Sequence, residues 1–200
     1  MKNLAVVIIL LNQYLILSAQ DNQSTIQKFG VRAGVNYSLM NFNKAFFPPS
    51  PAVENIWKPG FTIGALLQLH LNDRIIIEPE YAYTQMNGND PRINTSYTID
   101  YLSLPVIIKI KVLEKFFVLA GPQFDLLISA KENANNATTS IEHQTEERSI
   151  SGILGMELQL FHSFFVDARY QKGFNHIGIQ RSDINEFKWA GVGIAVGMHF

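Results

Sequence analysis

The stretch FKWAGVGIAVGMHF, residues 187–200, decides the fold class of this chain. Read with a period of two, it places apolar side chains on one face and small, aromatic or polar residues on the other. The apolar face contains Ala190, Val192, Ile194, Val196, Met198 and Phe200, and the opposite face contains Trp189, Gly191, Gly193, Ala195, Gly197 and His199. This alternation with a terminal aromatic residue is typical of the last strand of a transmembrane β-barrel. A strand of a water-soluble sandwich shows the same alternation, so the rest of the chain must decide.

The composition is that of a chain with much apolar surface. Apolar residues make up 47% of the 200 residues, whereas charged residues make up 16%, below the roughly 25% of ordinary globular domains. A formal net charge of −1 gives no electrostatic reason to expect nucleic acid as a partner. The absence of cysteine excludes a disulfide scaffold and a thiolate metal site, and we expect no cofactor and no metal.

The first twenty residues have the pattern of a secretory signal peptide. Lys2 supplies the positive charge, residues 4–17 are mostly apolar, and Ser18-Ala19-Gln20 resembles a cleavage site. An uncleaved anchor is the alternative, but the apolar run is short and interrupted for a span of about 20 residues. We therefore expect a cleaved signal over 1–20, a short periplasmic segment over 21–27 and a barrel domain over 28–200. Strands must then make any membrane crossing.

Eight segments alternate in the same way as the last one. The predicted strands cover 28–40, 60–71, 74–86, 97–112, 116–130, 148–160, 164–174 and 187–200. The connections near residues 72, 114 and 162 are short, and those over 41–57, 87–96, 131–147 and 175–186 are long. Outer-membrane barrels have such short periplasmic turns and longer external loops, with an even number of strands. The sequence thus predicts an all-β, eight-stranded antiparallel up-and-down transmembrane β-barrel in the outer membrane of a Gram-negative bacterium, both termini periplasmic.

Two local features qualify this prediction. Pro79 lies inside the third predicted strand, where we expect a bulge or a gap in the ladder because proline donates no hydrogen bond. Residues 131–147 are almost free of apolar side chains, so we expect a mobile loop there.

The face opposite the apolar one carries a set of charged residues. This set contains Arg32, Glu78, Glu80, Lys109, Glu157, Asp167 and Arg169. A soluble barrel such as a lipocalin needs the reverse parity, and in a membrane that parity would cost about 2–4 kcal/mol for each mid-membrane arginine. Nearly all of these charges lie in the periplasmic half of the lumen, and an eight-stranded lumen is just wide enough for side chains to fill. We therefore expect a salt-bridged plug rather than an ion or proton path.

Four short motifs carry a family resemblance. They are Phe29-Gly30-Val31-Arg32-Ala33-Gly34, Tyr101-Leu102-Ser103-Leu104-Pro105, Leu119-Ala120-Gly121-Pro122-Gln123 and Asp167-Ala168-Arg169-Tyr170. With them the chain resembles the PorT-like outer membrane protein beta-barrel domain family over roughly residues 28–200. The resemblance implies the barrel fold and an envelope location. More faintly, it implies an accessory role beside a secretion and gliding apparatus.

The histidines give weak signals for chemistry. His70 and His199 point inward near the periplasmic end, where a pair can bind metal or sense pH, but no third ligand is evident and we expect capped polar residues. The loop residues His143 and His176 have the acids Glu142 and Asp183 nearby, yet no nucleophile stands with them. We therefore expect no enzymatic activity, with a lipid-modifying barrel enzyme as the alternative. A further alternative is a small-ligand binder in the upper lumen, which is lined by Asn36, Ser38, Thr84 and Gln123.

The loop over 41–57 is unusually apolar for an external segment. We expect Phe42 and Trp57 to lie in the aromatic girdle at the lipid headgroups. Phe46 and Phe47 form a candidate docking patch for an envelope protein partner. Taken together, the sequence predicts a non-catalytic barrel with a plugged lumen, surrounded by outer-membrane lipid, that acts through its external loops as a structural or accessory component.

Overall fold

The computed structural model describes residues 27–46, 48–134, 137–161, 163–179 and 185–200. Within these ranges there are ten strands and two short 3-10 turns. The strands are β1 Gln27–Asn41, β2 Lys58–His70, β3 Ile75–Asp90, β4 Thr95–Leu113, β5 Phe116–Ala134, β6 Ala137–Ser140, β7 Arg148–Gln159, β8 Phe164–Gly173, β9 Ile177–Ile179 and β10 Asn185–His199; the turns are Phe42–Lys44 and Glu142–Gln144. The predicted signal over 1–20, and nearly all of the segment over 21–27, lie outside the described residues.

Eight of the strands close into an antiparallel barrel. The order is β1-β2-β3-β4-β5-β7-β8-β10, and β10 pairs back with β1 from Gly30↔His199 to Asn41↔Lys188. This closure confirms the predicted eight-stranded barrel, with observed strand bounds within a few residues of the predicted ones. In the part of the chain that the structure describes, no helix combines the length and the apolar character needed to cross a membrane.

The side chains alternate between the two faces as predicted. On β5, whose sequence alternates least clearly, Phe124 and Ile128 are exposed while Leu119 and Gln123 are buried. The same parity holds on β10, where Val192, Ile194 and Val196 are exposed and Trp189 is buried. The outer face of these strands therefore presents exposed apolar side chains.

The short connections, the start of β1 and the end of β10 lie at one end of the barrel. The backbone N–H of His199 donates to the carbonyl oxygen of Ser163, in the short β7–β8 connection, and that of Phe200 donates to Phe29. The long connections, together with β6 and β9, lie at the opposite end. We call these the short-turn end and the loop end.

Two of the long connections are more regular than predicted. The prediction that residues 131–147 form only a loop is wrong: β5 continues to Ala134 and pairs with β6, from Lys131↔Ser140 to Ala134↔Ala137. Threonines 138 and 139 favour an extended backbone even without apolar neighbours, which a search for apolar periodicity misses. The connection over 175–186 likewise contains β9, which pairs with β10.

Pro79 produces a gap in the ladder rather than a bulge. On the β2 side, pairing is recorded at Leu66↔Glu80 and again at Leu69↔Ile77, so it is interrupted without a change of register. The register shifts lie elsewhere, between β4 and β5, one of them at Asp100/Tyr101. Proline removes one N–H donor without changing the number of residues along the strand, so the neighbouring pairs keep their register.

The β1–β10 seam leaves no room for a side chain at Gly34. A Cβ there would meet the Cβ of Ala195 at 2.5 Å and would also press against the carbonyl oxygen of Ile194. We expect Gly34→Val to destabilise the barrel by about 1–3 kcal/mol, the usual cost of overpacking. The measurement is urea unfolding in lipid vesicles, followed by heat-modifiable gel mobility. Gly178→Ala is the control, because a Cβ at that position meets nothing within 4 Å. Equal unfolding midpoints for the two variants would contradict this account of the seam.

Candidate functional site

The lumen near the short-turn end contains a layer of buried ion pairs. Arg32 donates two hydrogen bonds to Asp167, from Nη2 to Oδ1 at 2.9 Å and from Nε to Oδ2 at 3.2 Å. Arg169 places Nη2 2.8 Å from Glu80 Oε1 and Nε 2.9 Å from Asp167 Oδ1. Glu80 Oε2 also lies 3.5 Å from Arg32 Nη1. These two arginines and two carboxylates therefore form a ring of alternating charge.

A second group surrounds Lys109, whose side chain is fully buried. Its Nζ lies 2.6 Å from Glu78 Oε2 and 2.6 Å from Glu157 Oε2. Gln68 donates a further hydrogen bond to Glu78 Oε2 at 2.8 Å. Arg169 Nη2 is 3.9 Å from Glu78 Oε1, which connects this group to the arginine ring. The structure thus brings all seven predicted charged residues into one network, which we call the charged layer.

The charged layer joins distant parts of the chain. Its members come from β1, β3, β4, β7 and β8, so a slip of any of these strands by one residue would turn a buried charge toward lipid. Three cations face four carboxylates, which leaves a formal charge of −1. Removing such groups from water costs several kcal/mol per ion unless each finds a well-placed partner. The layer therefore specifies the strand register more than it adds net stability.

His199 lies at the edge of the charged layer. Its ring is buried, stacks on Phe165 at 4.6 Å between centroids, and places Nε2 3.8 Å from Glu78 Oε2. His70, the other histidine of the predicted pair, is half-buried at the end of β2. Among the residues that the structure describes, no group of three or more His, Cys, Asp or Glu side chains is arranged to hold a metal ion.

The loop end of the lumen is filled by apolar side chains. Trp189 Nε1 donates a hydrogen bond to the Tyr101 hydroxyl at 3.1 Å. The ring centroid of Phe187 lies 5.1 Å from that of Trp189 and 5.7 Å from that of Phe42. The whole cluster, which we call the mouth core, contains Met40, Phe42, Val53, Met86, Tyr97, Ile99, Tyr101, Ala130, Ile141, Ile177, Ile179, Phe187 and Trp189. The external connections are therefore folded into the barrel mouth.

This arrangement corrects the prediction for Phe42. Instead of lying in a lipid girdle, Phe42 is 2% exposed inside the mouth core, because the 3-10 turn after β1 bends it inward. Trp57, its predicted companion, is exposed on the barrel surface. Phe46 is 71% exposed, and its backbone N–H donates to Glu186 Oε2 at 3.2 Å. Phe47, the second predicted docking residue, lies outside the described residues.

A small cavity separates the charged layer from the mouth core. It has a volume of about 60 Å³, and the four polar residues predicted to line the upper lumen all border it: Asn36, Ser38, Thr84 and Gln123. Beside it lies Asp125, which sequence reasoning missed. Asp125 is buried and accepts hydrogen bonds from the Ser103 hydroxyl at 2.6 Å and from Gln123 Nε2 at 2.7 Å. The parity of β5 was the available signal, because it places residue 125 inward.

The loop histidines have ordinary structural surroundings. His176 Nε2 lies 2.9 Å from the carbonyl oxygen of Lys44, so this ring ties two external connections together. His143 and Glu142 are exposed in the second 3-10 turn. Asp183, the predicted acid near His176, lies outside the described residues.

Comparison with known proteins identifies the class of barrel. The model of the outer membrane protein beta-barrel domain family matches residues 18–178. Among solved structures, Neisserial surface protein A is similar with a TM-score of 0.54, 12% identity and coverage of 86% of this chain and 97% of that one. Ail, the attachment invasion locus protein of Yersinia pestis, is similar with a TM-score of 0.52, 14% identity and coverage of 86% of this chain and 98% of that one. Such low identities concern the fold alone. No curated protein sequence matches the chain.

Lys109 provides the sharpest test of the charged layer. Replacing it with methionine leaves Glu78 and Glu157 buried side by side without their shared cation, so we expect a loss of about 3–5 kcal/mol in the free energy of unfolding. The measurement is urea unfolding in vesicles. Lys111→Met, at the exposed end of the same strand, should change the stability by no more than about 0.5 kcal/mol.

A second substitution separates lost charge pairing from lost packing. Adding Glu157→Gln to Lys109→Met removes one of the two uncompensated carboxylates and should recover part of the loss. A double variant that is less stable than Lys109→Met alone would show that the two carboxylates do not repel each other in the barrel.

Proposed function

Because this chain belongs to the outer membrane protein beta-barrel domain family, we propose that it is a non-catalytic and non-conducting component of the envelope. Family membership places it in the outer membrane of a Gram-negative bacterium. Within that membrane, the proposal assigns it a structural or accessory role that is carried out by its external surface.

One observation carries the proposal: the lumen is obstructed twice in series. The charged layer fills the cross-section near the short-turn end, and the mouth core fills it at the loop end. An eight-stranded barrel has little interior beyond what side chains occupy. A permeating ion would have to separate buried ion pairs and then pass through packed aromatic rings. Transport through the lumen is therefore the function that the geometry supports least.

The absence of catalysis in this proposal rests on where the candidate groups lie. The Asp125 carboxylate is held by Ser103 and Gln123 below the mouth core, so no lipid substrate can reach it without unfolding the mouth. His176, at the loop end, is bound to a main-chain carbonyl. A lipid-modifying enzyme needs a nucleophile and a base within hydrogen-bond distance at a lipid-accessible surface. The cavity is also too small for a ligand of ordinary size, which disfavours the small-ligand alternative.

Phe46, on the external surface, is a candidate contact residue for a protein partner. The mouth core absorbs Phe42 and Val53 from the connection between β1 and β2, but Phe46 points outward beside Glu186. Aromatic side chains are enriched at the centres of protein interfaces. We assign the partner to the envelope proteins, and the PorT-like resemblance supports an accessory role beside secretion machinery. In this proposal, the short-turn end and both termini face the periplasm.

Conductance tests the obstructed lumen. Purified wild-type protein in planar lipid bilayers should conduct at background level, because both obstructions persist in the folded barrel. Arg32→Ala and Arg169→Ala should lower the unfolding stability rather than open a pore, since each removes one of the two arginines that Asp167 and Glu80 share. A steady, ion-selective conductance of porin size in the wild-type protein would refute a non-conducting role.

Affinity capture from cross-linked envelopes tests the docking surface. The bait Phe46→Ser should lose specific protein partners that wild-type bait recovers, because the substitution removes the exposed aromatic anchor. Phe161→Ser is a matched control: Phe161 is 72% exposed, almost the same as Phe46, but lies at the short-turn end. Identical partner sets from the Phe46→Ser and wild-type baits would exclude Phe46 as the anchor.

A further inference from the structure

The outer surface of the barrel has an apolar groove across β7, β8 and β10. Its floor is Ala168, a small outward residue of β8, which pairs with Met156 on β7 and with Ile194 on β10. Met156 and Ile194 are each more than half exposed, so their longer side chains form the walls of the groove. Toward the loop end the lining continues with Leu154, Tyr170 and Val192.

The groove suits an acyl chain. Its volume is about 610 Å³, which lies within the usual range of about 300–1,000 Å³ for small-molecule sites. The lining is mainly apolar, and the groove opens on the face of the barrel that meets hydrocarbon in a membrane. A lipid chain would therefore gain close packing contacts along the floor, where a polar solute would find few hydrogen-bond partners.

A basic residue lies directly above the groove on the loop-end side. Lys172 follows Tyr170 on the outward face of β8 and is exposed. Its partners across the sheet are Ala190 on β10 and Gly152 on β7, both of which are too small to cover it. Lys172 therefore stands where the apolar outer face gives way to the loop end.

Two more cations extend this positive charge. Lys188 lies two residues from Ala190 on the same outward face of β10, and Arg148 lies on the outward face of β7. Among the residues that the structure describes, no carboxylate forms an ion pair with Lys172, Lys188 or Arg148. These three residues, which we call the basic rim, thus provide positive charge for an anionic ligand.

An aromatic ring marks the level of the membrane interface. Phe174 is 58% exposed, and a Cβ on Gly152 would meet its ring at 2.7 Å, so the ring lies on the outer face beside Lys172. Aromatic side chains on the outside of membrane barrels form girdles at the lipid headgroups. The basic rim therefore lies at the depth of lipid phosphates.

We propose that the basic rim and the groove below it form a binding site for one anionic, phosphate-bearing lipid of the leaflet at the loop end. Lys172 and Lys188 bind the phosphate, Arg148 adds a third positive charge, and one acyl chain lies over Ala168. Basic residues at the membrane surface attract anionic headgroups, so the headgroup provides the selectivity and the chain provides contact area. The inference rests on the outer-membrane location and is independent of the obstructed lumen.

Native mass spectrometry of the purified barrel in non-ionic detergent tests the headgroup. Phosphatidylglycerol should bind at least about tenfold more tightly than phosphatidylcholine with the same chains, and Lys172→Gln with Lys188→Gln should abolish the preference. The matched control is Arg74→Gln with Lys111→Gln, two exposed neighbouring cations at the short-turn end, which should keep it. Equal binding of the two lipids to the wild-type protein, or an unchanged preference in the Lys172 and Lys188 double variant, would overturn the proposal.

The groove has its own test in the same measurement. Ala168→Leu fills the floor and should weaken the binding of phosphatidylglycerol severalfold. Ala65→Leu, at an exposed outward position on β2, should not. Glycerol 3-phosphate, which lacks acyl chains, should fail to displace the lipid. Equal lipid binding by the two alanine variants, or displacement by glycerol 3-phosphate, would rule out the groove as part of the site.

A third measurement covers variants that do not fold. Wild-type barrel in vesicles should be labelled by phosphatidylglycerol with a photoreactive diazirine in its acyl chain, and the labelled peptides should come mainly from residues 148–172 and 188–196. Labelling spread evenly over the outward residues of all strands would show that the lipid has no fixed site.

Discussion

The fold depends on one constraint, which is that charged side chains inside a membrane must neutralise one another within the lumen. Lys109 satisfies it by standing between Glu78 and Glu157 at 2.6 Å from each. Arg32 and Arg169 satisfy it through Asp167 and a shared glutamate. Because the partners come from five strands, the pairing can be complete only in one register of the barrel. A slip by one residue would turn the apolar face of a strand inward, whereas a slip by two would keep that face outward but separate the ion pairs of the charged layer.

The structural features that depend on period-two alternation could be predicted from the sequence. It yielded the number of spanning strands, their parity and the seven residues of the charged layer, since an arginine such as Arg32 can face only the lumen. The alternation also placed Trp189 inward, but it did not indicate that loop residues would pack against the Trp189 side chain in the mouth core. Phe42 and Ile177 lie in segments without regular periodicity, so nothing in their spacing marks them as buried. The β6 strand was missed for a related reason: its threonines favour extended backbone without any apolar pattern.

The two obstructions of the lumen differ in physical character. The charged layer is held by directional pairs whose strength depends on a dry surrounding, whereas the mouth core is held by nondirectional apolar packing that brings the external connections into the barrel. As a result, parts of the external connections are buried inside the barrel mouth. Any partner contact must use side chains that remain outside, and Phe46 is an exposed aromatic one among the described residues of the loop between β1 and β2.

The seam between β1 and β10 determines when the barrel can form and insert into the membrane. Twelve residue pairs join the first strand of the barrel to the last, and these strands are separated by almost the whole chain. A growing or truncated chain that lacks β10 cannot form a smaller barrel, because it would leave two unpaired strand edges in hydrocarbon. Insertion into the membrane therefore requires the polypeptide up to and including β10. Pairing of the C-terminal strand β10 with β1 closes the curled sheet into a cylinder.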